Sequence, residues 1–213
     1  MRTDGSLADL QGPAGNTYDK YGTRNPVARL LVGRFLAAVE ESVAELRPGS
    51  LLDVGCGEGV VTERLARALP TTRVVGVDVA DPGLLDEWER RRAPNLGFAP
   101  GSAYSLPYGE NEFEVVSAFE VLEHLERPGE ALAELVRVAS RALVLSVPRE
   151  PWWRVTNALS GRYVRALGNT PGHVNHWTRD GFRRFAGGGG EVRRVRSPYP
   201  WTVVTVERAA ESV

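Results

Sequence analysis

From residue 50 onward, short apolar runs alternate with longer stretches in which apolar positions recur every three or four residues. This pattern predicts buried strands over 50–54, 73–78, 96–99, 113–118 and 142–147, with helices over 60–69, 83–91 and 127–138 between them. Strands alternating with helices of that length form a parallel sheet with helices on both faces. Ahead of this block, Asn25-Pro26 suits a helix start, because Asn can cap and Pro needs no N–H at the first helical position. Val27, Leu30, Leu31, Phe35, Ala38, Val39 and Val43 then mark one apolar face up to Leu46, where Arg47-Pro48-Gly49 ends the helix. After Pro148 the alternation stops. Residues 151–168, with Trp152, Trp153, Tyr163 and Leu167, read as a helical insertion over the ligand-binding edge of the sheet. Thr178 caps a short helix to Phe185, Gly187–Gly190 reads as a flexible joint, and 191–196 with 202–207 form an antiparallel hairpin around Ser197-Pro198-Tyr199-Pro200-Trp201. Residues 1–17, polar and Gly-rich, read as a mobile arm.

With 213 residues, 42% of them hydrophobic, the chain suits one domain with one core. Its 26 Lys and Arg nearly cancel its 27 Asp and Glu, so the field that concentrates a polyanion is missing and nucleic acid is an unlikely partner. The lone cysteine, Cys56, cannot form an internal disulfide, and no run of apolar residues has membrane-spanning length. A cytoplasmic protein, monomeric or homodimeric and without membrane contact, is expected.

The chemistry begins at Asp53-Val54-Gly55-Cys56-Gly57-Glu58-Gly59, where a strand meets a glycine turn and a helix. Alternate glycines let the backbone approach a ligand closely. Asp78 stands 25 residues past Asp53 at the end of the next apolar strand, where it can accept hydrogen bonds from both ribose hydroxyls. In the dinucleotide fingerprint a third glycine stands three residues after the middle one, yet Val60 fills that place. Asp53 would also repel a diphosphate while suiting an amino group, directly or through water. Together these residues imply a cationic amino-acid nucleoside.

The Asp-Val-Gly-Cys-Gly-Glu-Gly turn with the Asp78 strand end resembles the class I S-adenosylmethionine-dependent methyltransferases, over roughly residues 18–207. The resemblance implies a Rossmann-like α/β fold with a seven-stranded, mostly parallel sheet ordered 3-2-1-4-5-7-6, strand 7 being antiparallel. It implies one domain over 18–207, a substrate lid at 149–177 and a tail at 208–213. By position, S-adenosyl-L-methionine would meet Gly55, Cys56, Gly57 and Gly59 at its methionine part and Asp78 with Val79 at its ribose. Ser102 and Ala103 would lie at the adenine, Phe119 would lie beside the methionine and adenosine, and Tyr18 would close over the cofactor. Ser102 departs from the family, many of whose members carry Asp there, which leaves the Ala103 backbone N–H for adenine.

Glu120-Val121-Leu122-Glu123-His124 follows the fourth strand at the sheet's carboxyl edge. On one helical turn Glu120, Glu123 and His124 share a side, and two carboxylates with an imidazole can hold a divalent metal. His173 and His176 offer further ligands. The spacing also resembles metal-dependent O-methyltransferases of ubiquinone biosynthesis and of small-RNA 3′ ends, and in the latter a histidine four residues before a Trp-Thr pair completes the site, as His173 does before Trp177-Thr178. The alternative is that His124, His173 or His176 acts as a base, binds substrate or makes a structural hydrogen bond. Tyr18, Tyr21, Trp152, Trp153, Tyr163, Trp177, Tyr199 and Trp201 lie outside the strands and could line an apolar acceptor pocket. The reading is a methyltransferase acting on a small molecule, at a hydroxyl oxygen. Its alternatives are a metal-dependent RNA 3′-terminal 2′-O-methyltransferase, a nicotinamide-binding Rossmann reductase and a binding module that senses the cofactor.

Overall fold

The computed structural model describes residues 25–91, 93–152 and 172–208. The expected arm, most of the insertion, Tyr18, Tyr21, Trp153 and Tyr163 lie outside them. Helix α1 (Pro26–Ala44) is capped by Asn25, whose side chain accepts from the Val27 and Ala28 N–H groups. Strand β1 (Ser50–Val54), helix α2 (Val60–Ala68), strand β2 (Arg73–Asp78), helix α3 (Pro82–Arg90) and strand β3 (Leu96–Pro100) form two successive strand-helix-strand units with parallel strands. Strand β4 (Phe113–Phe119), a 3₁₀ turn at Leu122–His124, helix α4 (Pro128–Val138) and strand β5 (Ala139–Pro148) follow. Helix α5 (Arg179–Ala186), strand β6 (Glu191–Arg196) and strand β7 (Trp201–Glu207) complete the described chain.

The seven strands lie in the order β3-β2-β1-β4-β5-β7-β6. β7 runs antiparallel to both β5 and β6, as the resemblance implies. Because successive strand residues face opposite ways, each strand feeds two cores. Leu52, Val116, Leu143, Leu145 and Val204 pack with α4 and α5 on one face. Leu51, Val74, Val115, Val144 and Val203 pack with α1 and α2 on the other. Both faces are covered, so the strands read as apolar runs rather than alternating ones.

Two expectations are corrected. β5 begins at Ala139, three residues earlier than the apolar run suggests, because Ser140 and Arg141 are exposed on a stretch that pairs Ala139 with Phe113 across a bulge. Gly187–Gly189 is a packed 3₁₀ turn rather than a loose joint: Gly189 is buried, and a Cβ there would come within 3.0 Å of Leu143. The glycines are there for close packing against β5 and α4.

Candidate active site

Among the described residues, those singled out for chemistry stand at the carboxyl ends of β1, β2, β3, β4 or β5, or on the segment 172–177. The β1 end is built first. Gly55, Gly57 and Gly59 all have positive φ, at 72°, 52° and 78°. A Cβ on Gly55 would stand 2.3 Å from Val121 Cγ2, and one on Gly59 would stand 2.6 Å from Phe98 Cζ. Two of the three glycines are therefore demanded by the protein's own packing. The turn is held to the second strand by the Gly55 and Cys56 N–H groups, which donate to the Val77 carbonyl at 2.7 and 3.1 Å.

Asp78 closes the turn. Its Oδ2 accepts from Gly57 N at 2.6 Å and its Oδ1 from Val79 N at 2.7 Å. Burial pushes this carboxyl above its ordinary range, against the two N–H groups that favour the charge. A carboxylate oxygen can accept more than one hydrogen bond, so both ribose hydroxyls can still find acceptors there. The loop after β3 leans on the same residue, since Gly101 N donates to the Asp78 carbonyl at 2.8 Å. In that loop the Ser102 hydroxyl accepts from Tyr104 N at 3.2 Å, so this side chain shapes its own turn.

Asp53 sits deeper than the sequence suggests. It is buried, accepting from Thr62 Oγ1 at 2.6 Å and Ser117 Oγ at 2.9 Å. Desolvation raises its pKa to about 6, with the two hydroxyls opposing that and the charge of Asp78 adding to it. Each of its oxygens thus already accepts one hydroxyl inside the sheet. Burial first, then the charges of Asp53 and Asp78, hold the Cys56 thiol well above its ordinary range, which leaves it protonated and unreactive. Phe119 ends β4 and packs in the α1-side core with Phe35 and Trp201.

Sequence reading missed the brace on the cofactor turn. Trp88 Nε1 donates to the Gly57 carbonyl at 2.8 Å while its ring stacks on Phe98 at 5.3 Å. Arg91 Nε donates to the Glu58 carbonyl, and its Nη1 reaches Glu63 at 3.1 Å. The turn's carbonyls are thus held from α3 and its N–H groups from β2.

The acceptor side departs more from expectation. Glu120 does not share a helical turn with Glu123 and His124: it is left-handed, with φ of 57°, and only Leu122–His124 form the 3₁₀ turn. Its Oε1 accepts from Trp201 Nε1 at 2.6 Å, which draws it toward the β7 end. The remaining predicted metal ligands do converge. Glu123, His124 and His173 each place one ligand atom within 4.8 Å of the others, and Glu123 and His173 are buried. The two imidazoles meet edge to face at 4.8 Å. His124 Nδ1 lies 3.0 Å from the Gly172 carbonyl, an arrangement that protonates Nδ1 and leaves the lone pair on Nε2.

The segment carrying His173 is fastened by its backbone. Val174 N and Asn175 N both donate to the Glu123 carbonyl, at 2.9 and 3.0 Å. Asn175 Nδ2 donates to the Leu125 carbonyl at 2.6 Å and the Leu122 carbonyl at 3.2 Å. Gly172 has φ of 87° and approaches His124 so closely that a Cβ would stand 3.4 Å from Nδ1. At its far end the segment forms a bridge from Trp177 to Arg149, and His176 lies beside Glu150. His176 is thus separate from the cluster of the other two histidines.

A family model described as a methyltransferase domain matches residues 52–142. An uncharacterized methyltransferase of Schizosaccharomyces pombe is 38% identical over 98 residues, covering 41% of this chain and 35% of that one. A ubiquinone biosynthesis O-methyltransferase of Methylococcus capsulatus is 34% identical over 91 residues, covering 41% and 38%. The chain spans little more than a third of the length of either relative. Among solved structures, magnesium protoporphyrin IX methyltransferase from Synechocystis, which has bound S-adenosylhomocysteine, superposes with a TM-score of 0.65 at 22% identity over 88% of this chain and 90% of that one. No helix among the described residues is long and apolar enough to cross a membrane. With the glycine turn, the carboxylates at two strand ends and the strand order all in place around the matched residues, residues 52–142 match a methyltransferase domain and the chain is similar to the class I S-adenosylmethionine-dependent methyltransferases.

Proposed function

We propose that this protein transfers a methyl group from S-adenosyl-L-methionine to a hydroxyl oxygen of a small molecule. The observation that carries the cofactor half is Asp78, a strand-end carboxylate already fastened to the glycine turn by Gly57 N and with acceptor capacity to spare. Gly55, Gly57 and Gly59 shape the wall for the methionine part, and the loop at Ser102-Ala103 lies where an adenine is met. When bound, the cofactor supplies a sulfonium methyl, an electrophile needing no further activation. The chain must orient a nucleophile, exclude water and accept a proton if the nucleophile is neutral. A hydroxyl is favoured because imidazoles gather at the ends of β4 and β5, where an amine would need no base. The near-balanced net charge, −1, supports a small molecule over an RNA end.

The test has two parts. Calorimetry should detect S-adenosylhomocysteine and not NADP, and binding of NADP alone would return the chain to the reductases. Methyl transfer from radiolabelled cofactor should then appear with hydroxyl acceptors in a panel that also contains amines.

A second reading is favoured by one observation, the convergence of Glu123, His124 and His173. An imidazole whose other nitrogen is held by a backbone carbonyl, as His124 is by Gly172, is oriented as metal ligands commonly are. A divalent ion held there would lower the pKa of an acceptor hydroxyl. Activity that vanishes on chelation and returns with added metal is the expected signature, and indifference to both removes the ion from the reaction.

A further inference from the structure

Beyond the histidine pair, one buried carboxylate has no part in the chemistry described so far. Glu150 follows β5 by two residues, at the carboxyl edge where open α/β sheets place their ligands. Both its oxygens are buried, and among the described residues neither has a hydrogen-bond partner. Its backbone is fixed, because Glu150 N donates to the Trp177 carbonyl at 2.9 Å and Arg149 N to the Pro200 carbonyl at 2.8 Å. The cation next to it in sequence is turned elsewhere: the Arg149 guanidinium lies 5.9 Å from the centre of the Tyr199 ring. What faces Glu150 Oε1 is His176 Nδ1, at 3.6 Å. A buried carboxylate without donors is costly unless a partner arrives or charge develops beside it.

The three histidines are therefore unequal. His173 is buried and edge-on to His124, whose Nδ1 is bound to a carbonyl. The His176 side chain remains about one third exposed, at 34%, with the acid behind it. An imidazole with its Nδ1–H directed at a carboxylate presents the Nε2 lone pair outward, and the carboxylate stabilises the imidazolium once a proton is taken. Trp152, two residues past Glu150, tilts against Tyr199 at 6.3 Å.

From this geometry we infer that His176 and Glu150 form the acceptor subsite, in which His176 Nε2 binds and deprotonates a phenolic hydroxyl and Glu150 positions the imidazole. The inference rests on the methyltransferase reading. In the step, the hydroxyl proton passes to Nε2 as an oxygen lone pair forms the new bond to the methyl carbon; the carbon–sulfur electron pair stays on sulfur, and the positive charge moves from sulfonium to imidazolium. A phenol fits because its pKa of about 10 lies within reach of an imidazole, whereas an aliphatic alcohol lies much further away. Glu150 is a positioning residue, and its effect on catalysis passes through the ring.

The experiment combines nitrogen-15 imidazole spectra of the full chain with methyl transfer to phenol, catechol, benzyl alcohol and aniline. The His176 signal, identified by its loss in His176→Asn, should show the Nδ1–H tautomer in the wild type, weakened in Glu150→Gln and retained in Glu150→Asp. With phenol or catechol, kcat should fall about a hundredfold or more in His176→Asn and about tenfold or more in Glu150→Gln, with partial recovery in Glu150→Asp and KM changing less than kcat. S-adenosylhomocysteine affinity should be unchanged in all three variants, which shows that they fold. An Nε2–H tautomer in the wild type overturns the pairing whether or not an acceptor is found. Full activity in His176→Asn overturns the base, and methylation of aniline or benzyl alcohol in preference to phenols overturns the substrate class. The expected tautomer together with no S-adenosylhomocysteine binding sinks the methyltransferase reading on which the base depends, while leaving the pairing standing.

Discussion

The two halves of the cleft are built by different means. On the cofactor side, the ends of β1, β2 and β3 are joined by backbone groups: Gly55, Cys56 and Gly101 donate to carbonyls of β2, and Gly57 and Val79 donate to Asp78. On the acceptor side, the backbone bonds of Val174, Asn175 and Glu150 are supplemented by side chains, with Asn175, His124, Glu120 and Trp201 reaching across 48 to 81 residues of sequence. Backbone fastening fixes a shape and tolerates side-chain change wherever a Cβ fits, whereas side-chain fastening ties shape to residue identity. The first half should therefore fail when a Cβ or a charge is altered, and the second when a single amide or imidazole is lost.

The largest effect is expected at the seam between the halves. Gly55→Ala adds a methyl 2.3 Å from Val121 at a residue with φ of 72°, and should lower stability by about 3 kcal/mol or more in thermal unfolding. Val121→Ala in the same chain should recover the steric part and leave the backbone strain. If the single variant unfolds at the wild-type temperature, the halves do not interlock there.

Next is Asp78→Ala, which removes the acceptor for the ribose and for two turn N–H groups. Affinity for S-adenosylhomocysteine should drop about a hundredfold, from roughly 3 kcal/mol of hydrogen bonds to a charged group. A folded variant with undiminished affinity would remove Asp78 from the site.

Asn175→Ala sharpens the comparison from the other side. Losing its bonds to the Leu122 and Leu125 carbonyls should cost about 1–2 kcal/mol of stability and reduce methyl transfer, with cofactor affinity unchanged. Reduced cofactor affinity would show that the halves are not separable.

The smallest effect concerns pH. Because the folded-state pKa of Asp53 is raised, from an ordinary 3.8 to about 6, the folded chain holds this proton more tightly than the unfolded one. The stabilisation, of order 3 kcal/mol, is therefore present below about pH 4 and lost as the pH rises toward 6. A cationic ligand favours the ionised form, so affinity for S-adenosylmethionine should fall several-fold between pH 7 and 5. Asp53→Asn should flatten that dependence, and an equally steep curve in that variant would assign it to another group.

What could be read from the sequence follows the same division. The β1 turn and Asp78 lie 25 residues apart within one βαβ unit, so hydrophobic period and motif together located them before any coordinates. Glu123, His124 and His173 were legible as residue types, and they meet, but Glu120 was misplaced because a left-handed residue breaks the helical spacing on which the prediction relied. Trp88, Asn175 and Glu150 gave no local signal. An indole on a polar helix, an amide in a loop and an acid before a proline acquire their meaning from partners 31, 50 and 26 residues away, and periodicity carries no information over such separations.

The segment 172–177 serves two stations with one short piece of chain: His173 at the 3₁₀ turn and His176 at the end of β5. An extended backbone covers roughly 10 Å in three residues, so the distance between the stations is set by residue count. Residues in this strap can be exchanged while both imidazoles keep their places, but adding or deleting even one between them forces a choice of which histidine reaches its acid. This side of the cleft can thus diversify by substitution, while its length there is frozen.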